Sequence, residues 1–137
     1  MIGNHTYHHL NGWDQSMEDY LRDIESCNRV IEENGFSSRI KLFRPPYGKI
    51  KKMAIDKIKD DYHIIMWDVL SYDFSSRLSE ERMLGKSVQN TLGGSIIVFH
   101  DSERTKSRVE FIIVKYIEHF LTNNYEFSTI DELILSN

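Results

Sequence analysis

Two apolar runs, Tyr62 to Val69 (YHIIMWDV) and Ser95 to His100 (SIIVFH), restrict the folds open to this chain more than any other feature. Each is continuous rather than alternating, which predicts strands buried on both faces. The segments around them are helical in period. Ser16 opens a capping-box-like start, with Asp19 in place of the usual Glu or Gln. Tyr20, Leu21, Ile24, Cys27, Val30 and Ile31 then recur at helical spacing, and Asn34-Gly35 is a stop signal. Residues 39–43 alternate like a short strand, and residues 50–60 read as a helix. A further helix runs from the Ser79 cap to Gly93-Gly94. Residues 107–122 form a long one, with Phe111, Val114, Ile117, His119, Phe120 and Leu121 available for packing. Tyr125 to Thr129 reads as a last short strand, and Asp131 to Leu135 as a turn of helix.

Strand and helix therefore alternate, which implies an α/β fold with a parallel sheet or barrel and helices outside it. No repeat, low-complexity tract or linker interrupts the pattern, so residues 1–137 are expected to form one domain. In such folds the chemistry gathers at the C-terminal ends of the strands. The reading places His5 after the first apolar fragment, Arg44 after the second strand, Asp68 and Asp73 after the third and His100 after the fourth.

Composition excludes several classes of function. The 17 Lys and Arg against 21 Asp and Glu leave a charge of −4, which gives no electrostatic case for a nucleic-acid or membrane-surface protein. The basic stretch Gly48-Lys49-Ile50-Lys51-Lys52 beside Tyr47 is the one local exception, and a short basic helix start is ordinarily just solvated. A single cysteine, Cys27, rules out an intrachain disulfide. No segment reaches the ~20 apolar residues of a membrane span.

Four local motifs carry chemistry, and each has a plainer reading. His5 and His9 are four apart, a spacing that on a helical turn puts both rings on one face, able to grip one metal ion. His8 competes as a ligand, and the whole stretch also reads as a polar surface turn. Two histidines fall short of the three protein ligands typical of a catalytic zinc site. Phe43 to Gly48 (FRPPYG) is a stiff loop in which Arg44 either pairs with a carboxylate or is a surface arginine. Trp67 to Phe74 (WDVLSYDF) mixes aromatics and acids just past a buried strand. That suits sugar binding and pKa tuning, or simply core packing and capping. His100 ends a strand, where it is either structural or a candidate acid or base.

Together these pieces resemble the polysaccharide deacetylases of the NodB-homology type, carbohydrate esterase family four. The family motif H-[ST]-x-x-H matches His5-Thr6-Tyr7-His8-His9. R-x-P-Y/W matches Arg44-Pro45-Pro46-Tyr47. A Trp followed six residues later by an Asp matches Trp67 and Asp73, and an aliphatic residue two before a His matches Val98-Phe99-His100. The resemblance implies an incomplete, irregular (β/α) barrel, TIM-like, with about five parallel strands and outer helices. Family members begin with a strand ending in an Asp-Asp pair, so the expectation is a domain truncated at its N-terminus before the His motif.

The resemblance also implies a hydrolase of carbohydrate metabolism that removes N-acetyl groups from amino-sugar polymers, peptidoglycan or chitin-like. His5 and His9 would hold a divalent metal, zinc first and cobalt or iron as alternatives, with a third ligand from the absent Asp pair. That pair would also supply the base that activates water. The backbone N–H of Tyr47 would stabilise the oxyanion, and Arg44 would pair with the missing base. His100 would protonate the leaving amine, with Asp73 orienting it. Trp67, Val98, Leu70 and Pro46 would line the acetyl pocket. Phe74 and Leu70 depart from the family's frequent Trp and Asp. The implied parent is a bacterial enzyme of the cell envelope or cytoplasm. The chain itself is expected to be weak or inactive and to self-associate through exposed sheet edges. The alternative is a non-catalytic remnant that binds carbohydrate or oligomerises.

Overall fold

The computed structural model describes residues 1–36 and 38–135. They form two compact units, one of residues 1–66 with the segment from Thr129 onward, the other Trp67–Ser128.

In the first unit, α1 spans Met17–Glu33. The Ser16 hydroxyl accepts the Asp19 N–H at 3.1 Å and donates to the Asp19 carboxylate at 2.7 Å. Asp at this position thus engages the cap hydroxyl itself. A short parallel ladder pairs β1 (Leu42–Phe43) with β2 (His63–Ile64), and Asn4 adds a parallel bridge to Phe43. A 3-10 turn, Pro46–Gly48, leads into α2, Lys52–Ile58. Tyr20 and Ile24 from α1 meet Phe43, Ala54 and Ile58 in the core. Gly12 is required by close approach, because a Cβ there would stand 2.5 Å from the Lys49 carbonyl oxygen and 2.9 Å from Tyr20 Cζ. The short α5, Ile130–Leu135, buries none of its residues.

In the second unit, β3 (Val69–Leu70) pairs in parallel with β4 (Ile97–Val98). Helices α3 (Glu80–Asn90) and α4 (Lys106–Thr122) pack together. Val69, Met83, Ile112, Tyr116 and Phe120 are buried here. The Tyr116 hydroxyl reaches Thr91 Oγ1 at 2.7 Å across the two helices.

Three expectations are corrected. The run Tyr62 to Val69 is not one buried strand. It serves two ladders, β2 and β3, and only Val69 in it is buried. In these two-stranded ladders Phe43 and Val69 are buried, while Leu42, Ile64, Leu70, Ile97 and Val98 stay half-covered. Tyr125 to Thr129 forms no strand, because Asn124 turns the chain at φ 62° and the Tyr125 ring packs on Phe120 at 4.9 Å instead. On α4 the buried stripe is Ile112, Tyr116 and Phe120, an i, i+4, i+8 line, while Val114, Ile117 and Leu121 are exposed. The α/β alternation holds, and the described residues form two separate two-stranded parallel ladders, the first with the added Asn4 bridge. No helix among the described residues is long and apolar enough to cross a membrane.

Candidate functional site

The histidine loop follows directly on Asn4. The Asn4 N–H donates to the Leu42 carbonyl, and the Arg44 N–H donates to the Asn4 carbonyl, so this strand fragment and β1 end side by side. His5 then sets Nδ1 2.6 Å from the Arg44 carbonyl oxygen. A carbonyl only accepts, so Nδ1 is the protonated nitrogen and Nε2 carries the lone pair, the tautomer that metal-ligating histidines adopt. The His5 and His9 rings stand edge to face with centroids 4.9 Å apart, and His9 meets the Tyr47 ring at 4.8 Å.

The helical turn expected for His5 and His9 is not what unites them. Residues 5–9 are a loop, bent by Thr6 at φ 61° and His9 at φ 56°. His8 turns to α1 instead, where its ring Nδ1 lies 2.5 Å from Asp23 Oδ1 and its backbone N–H donates to Oδ2 at 3.0 Å.

Arg44 directs Nε and Nη2 to the carbonyls of Ile65 and Met66 past the end of β2, each at 3.2 Å. Burial pushes its guanidinium below the ordinary value. Among the described residues it joins no carboxylate. Tyr47, exposed and at φ 58°, occupies a turn whose own bonds run from Gly48 N–H to Pro45 and from Lys49 N–H to Pro46. Pro46 is buried beneath it.

The two imidazoles suit a borderline divalent ion. No group of three His, Cys, Asp or Glu able to hold an ion occurs among the described residues. The pair therefore fits as part of a metal site and does not complete one.

In the second unit Asp73 and His100 form a tight dyad. The Asp73 side chain is 0% exposed. Its Oδ2 accepts the His100 backbone N–H at 2.6 Å, and its Oδ1 faces Nδ1 at 2.7 Å. The ring, 41% exposed, has Phe74 against it edge to face at 5.1 Å. Thr105, buried, donates its hydroxyl to the His100 carbonyl at 2.5 Å and accepts the Ser102 N–H at 3.2 Å. With Nδ1 donating to a carboxylate, Nε2 is left as the proton acceptor, or as the donor once the ring is charged. Leu70 and Val98 are register partners in the ladder that ends on this dyad, and Trp67 is half-buried at its start. Asp68 precedes β3 rather than following a strand. Its Oδ2 accepts the Ile96 N–H at 2.8 Å, so it staples the start of the ladder.

Three supporting residues escaped the sequence reading: Asn4, Asp23 and Thr105. Only Asp23 left a signal. It lies between Tyr20 and Ile24 on the buried stripe of α1, where a carboxylate needs a reason to be. Its burial raises the carboxyl, but the His8 backbone N–H, the His8 ring and the Thr6 hydroxyl outweigh this and hold it below the usual carboxylate range.

The first unit thus presents two imidazoles beside each other and the second a hydrogen-bonded Asp–His pair, each next to a short parallel ladder of an α/β framework. The family model for polysaccharide deacetylase matches residues 1–62. A chitooligosaccharide deacetylase of Azorhizobium caulinodans is 29% identical over 101 residues, covering 73% of this chain and 48% of that protein. A peptidoglycan-N-acetylglucosamine deacetylase of Bacillus cereus is 27% identical over 104 residues, 74% of this chain and 37% of that one. A solved family 4 carbohydrate esterase pseudoenzyme from Bacillus anthracis is 26% identical with a TM-score of 0.77, covering 96% of this chain and 45% of its own. A mutant of that pseudoenzyme has restored enzymatic activity. The chain thus spans about half, or less, of the length of the relatives it matches. The chain is similar in sequence to polysaccharide deacetylases, through the family model over residues 1–62 and through these relatives.

Proposed function

We propose that residues 1–137 are one partial catalytic domain of a metal-dependent deacetylase, on an irregular (β/α) barrel, built to remove N-acetyl groups from an amino-sugar polymer of the peptidoglycan or chitin type and weak or inactive in this chain. The observation that carries this reading is the grip of the buried Asp73 carboxylate on both the backbone and the ring of His100. A histidine held this way keeps one tautomer and one orientation, which suits proton delivery to the nitrogen of a leaving amine. Leu70, Val98 and Trp67 supply an apolar wall for an acetyl methyl. The Tyr47 N–H is the oxyanion donor in this reading. His5 and His9 would hold the divalent ion, zinc by preference, which supplies carbonyl polarisation and a more acidic water when bound. Arg44 is assigned to orient a base by the same analogy.

The described residues offer neither a third metal donor beside the histidine pair nor a carboxylate beside Arg44. Loss of general-base help alone costs ~10²–10⁴-fold in rate. This accounts for weak or absent turnover, and it supports the second reading: a non-catalytic module that binds carbohydrate or self-associates through its ladder edges. The pseudoenzyme relative gives that reading a precedent.

One experiment separates the two. The purified chain is incubated with zinc and N-acetylglucosamine oligomers, acetate release is followed, and gel filtration is run alongside. Background acetate release and a size above monomer are expected. Zinc-dependent release that His100→Ala abolishes would establish the catalytic reading for this chain and end the second.

A further inference from the structure

The loop that carries His5 and His9 is strained at both ends of the pair. Thr6 is β-branched and sits at φ 61°, and His9 sits at φ 56°. Such conformations are costly for residues with a side chain and persist only where the surroundings over-determine them. Those surroundings are two adjacent residues of α1. The Asn4 side chain donates to the Ile24 carbonyl at 2.8 Å and accepts the Thr6 N–H at 2.9 Å. The Asp23 carbonyl accepts the Tyr7 N–H at 3.2 Å. The Asp23 carboxylate takes the His8 N–H and ring, and the Thr6 hydroxyl helps to hold that carboxyl below its usual range. That hydroxyl in turn accepts the Leu10 N–H at 3.2 Å. The bonds to Ile24 and Asp23 hold the loop on the helix, and Asp23 is 5% exposed.

We infer that Asp23 is a positioning residue for the metal-binding pair: its buried carboxylate holds the loop in the left-handed bends that bring the His5 and His9 rings within 4.9 Å of each other. This rests on the assignment of those two histidines as metal donors. The His8 ring is secondary, because the carboxylate also holds the His8 backbone N–H and the Asp23 carbonyl holds the Tyr7 N–H. The arrangement parallels the Asp73 grip on His100, one carboxylate taking both the backbone N–H and Nδ1 of a histidine, with a different purpose. Here the gripped imidazole anchors the loop, and its neighbours in sequence do the binding.

The test uses the full chain and zinc alone. Zinc affinity is measured by calorimetry for the wild type, His9→Ala, Asp23→Ala and His8→Ala, and folding is checked by circular dichroism. Asp23→Ala is expected to weaken zinc about 10–100-fold, the range for groups that orient metal ligands, while His8→Ala stays within about threefold. The metal-free imidazole resonances of His5 and His9 should be sharp in the wild type and broadened or doubled in Asp23→Ala. A folded Asp23→Ala chain with unchanged zinc affinity and unchanged resonances overturns the inference. Should that variant not fold, Asp23→Asn is judged by the same two readings. If the wild type binds no zinc, or His9→Ala changes nothing, the metal assignment fails, and the metal-free spectra still decide whether Asp23 orders the loop.

Discussion

Replacing Asp73 by Asn or by Ala separates what the His100 dyad does for folding from what it does for chemistry. The carboxylate is fully buried and accepts two bonds, at 2.6 and 2.7 Å, from the backbone and the ring of one residue. An Asn side chain has the same shape but only one accepting oxygen. If that oxygen keeps the His100 N–H, its amide group meets Nδ1, and the ring must move its proton to Nε2 to accept. Both bonds survive, each without its charge assistance, so Asp73→Asn should cost about 1–3 kcal/mol of stability. Ala leaves the backbone N–H and the ring unpartnered and adds a cavity, so Asp73→Ala should cost about 3–5 kcal/mol. Urea titration gives both differences. Long-range proton–nitrogen spectra at about pH 8.5, where an ordinary imidazole is neutral, give the tautomer. The wild type should show a protonated Nδ1, and Asp73→Asn a protonated Nε2. An Asn variant that keeps the Nδ1 proton, or an Ala variant as stable as the wild type, would refute the argument that the carboxylate sets the proton on His100.

Tyr20 carries an alkaline sensitivity. Burial first, and the Asp23 charge second, push its phenol from 10.0 up to about 12. The unfolded chain therefore loses this proton first, so the contribution is intact below about pH 10 and drains away between about 10 and 12, by roughly 3 kcal/mol in all. Its hydroxyl finds no hydrogen-bond partner among the described residues. Tyr20→Phe should thus match or exceed the wild type at pH 7 and flatten the alkaline fall in thermal melts; a less stable Phe variant with the same alkaline slope would contradict this. Gly12→Ala drives a Cβ to 2.5 Å from the Lys49 oxygen and into the Tyr20 ring, and overpacking of that kind costs about 1–3 kcal/mol. An unchanged melting temperature would show that this crossing yields without strain.

Much of the local structure was legible along the chain because it depends on neighbours in sequence. The Ser16 and Ser79 caps, the Asn34 stop, and the extents of α1 and α4 follow from hydrogen bonds and periodicities that close within a few residues. The strands were harder to read. An apolar run reports that burial is favourable but not with which ladder, so Tyr62 to Val69 divided between two. The tyrosine and phenylalanine after Asn124 found aromatic partners on α4 before any strand did.

The residue types at strand ends, His5 and His9, Arg44, Asp73 and His100, and the family resemblance they carry, were readable from the sequence alone. Tertiary structure alone decided which of them meet. Asp73 finds His100 across 27 residues, Asp23 takes His8 across 15, and Arg44 reaches strand-end carbonyls where a carboxylate was expected. Spacing cannot carry that information, because a hydrogen bond depends on where two distant backbones come together, and packing settles that.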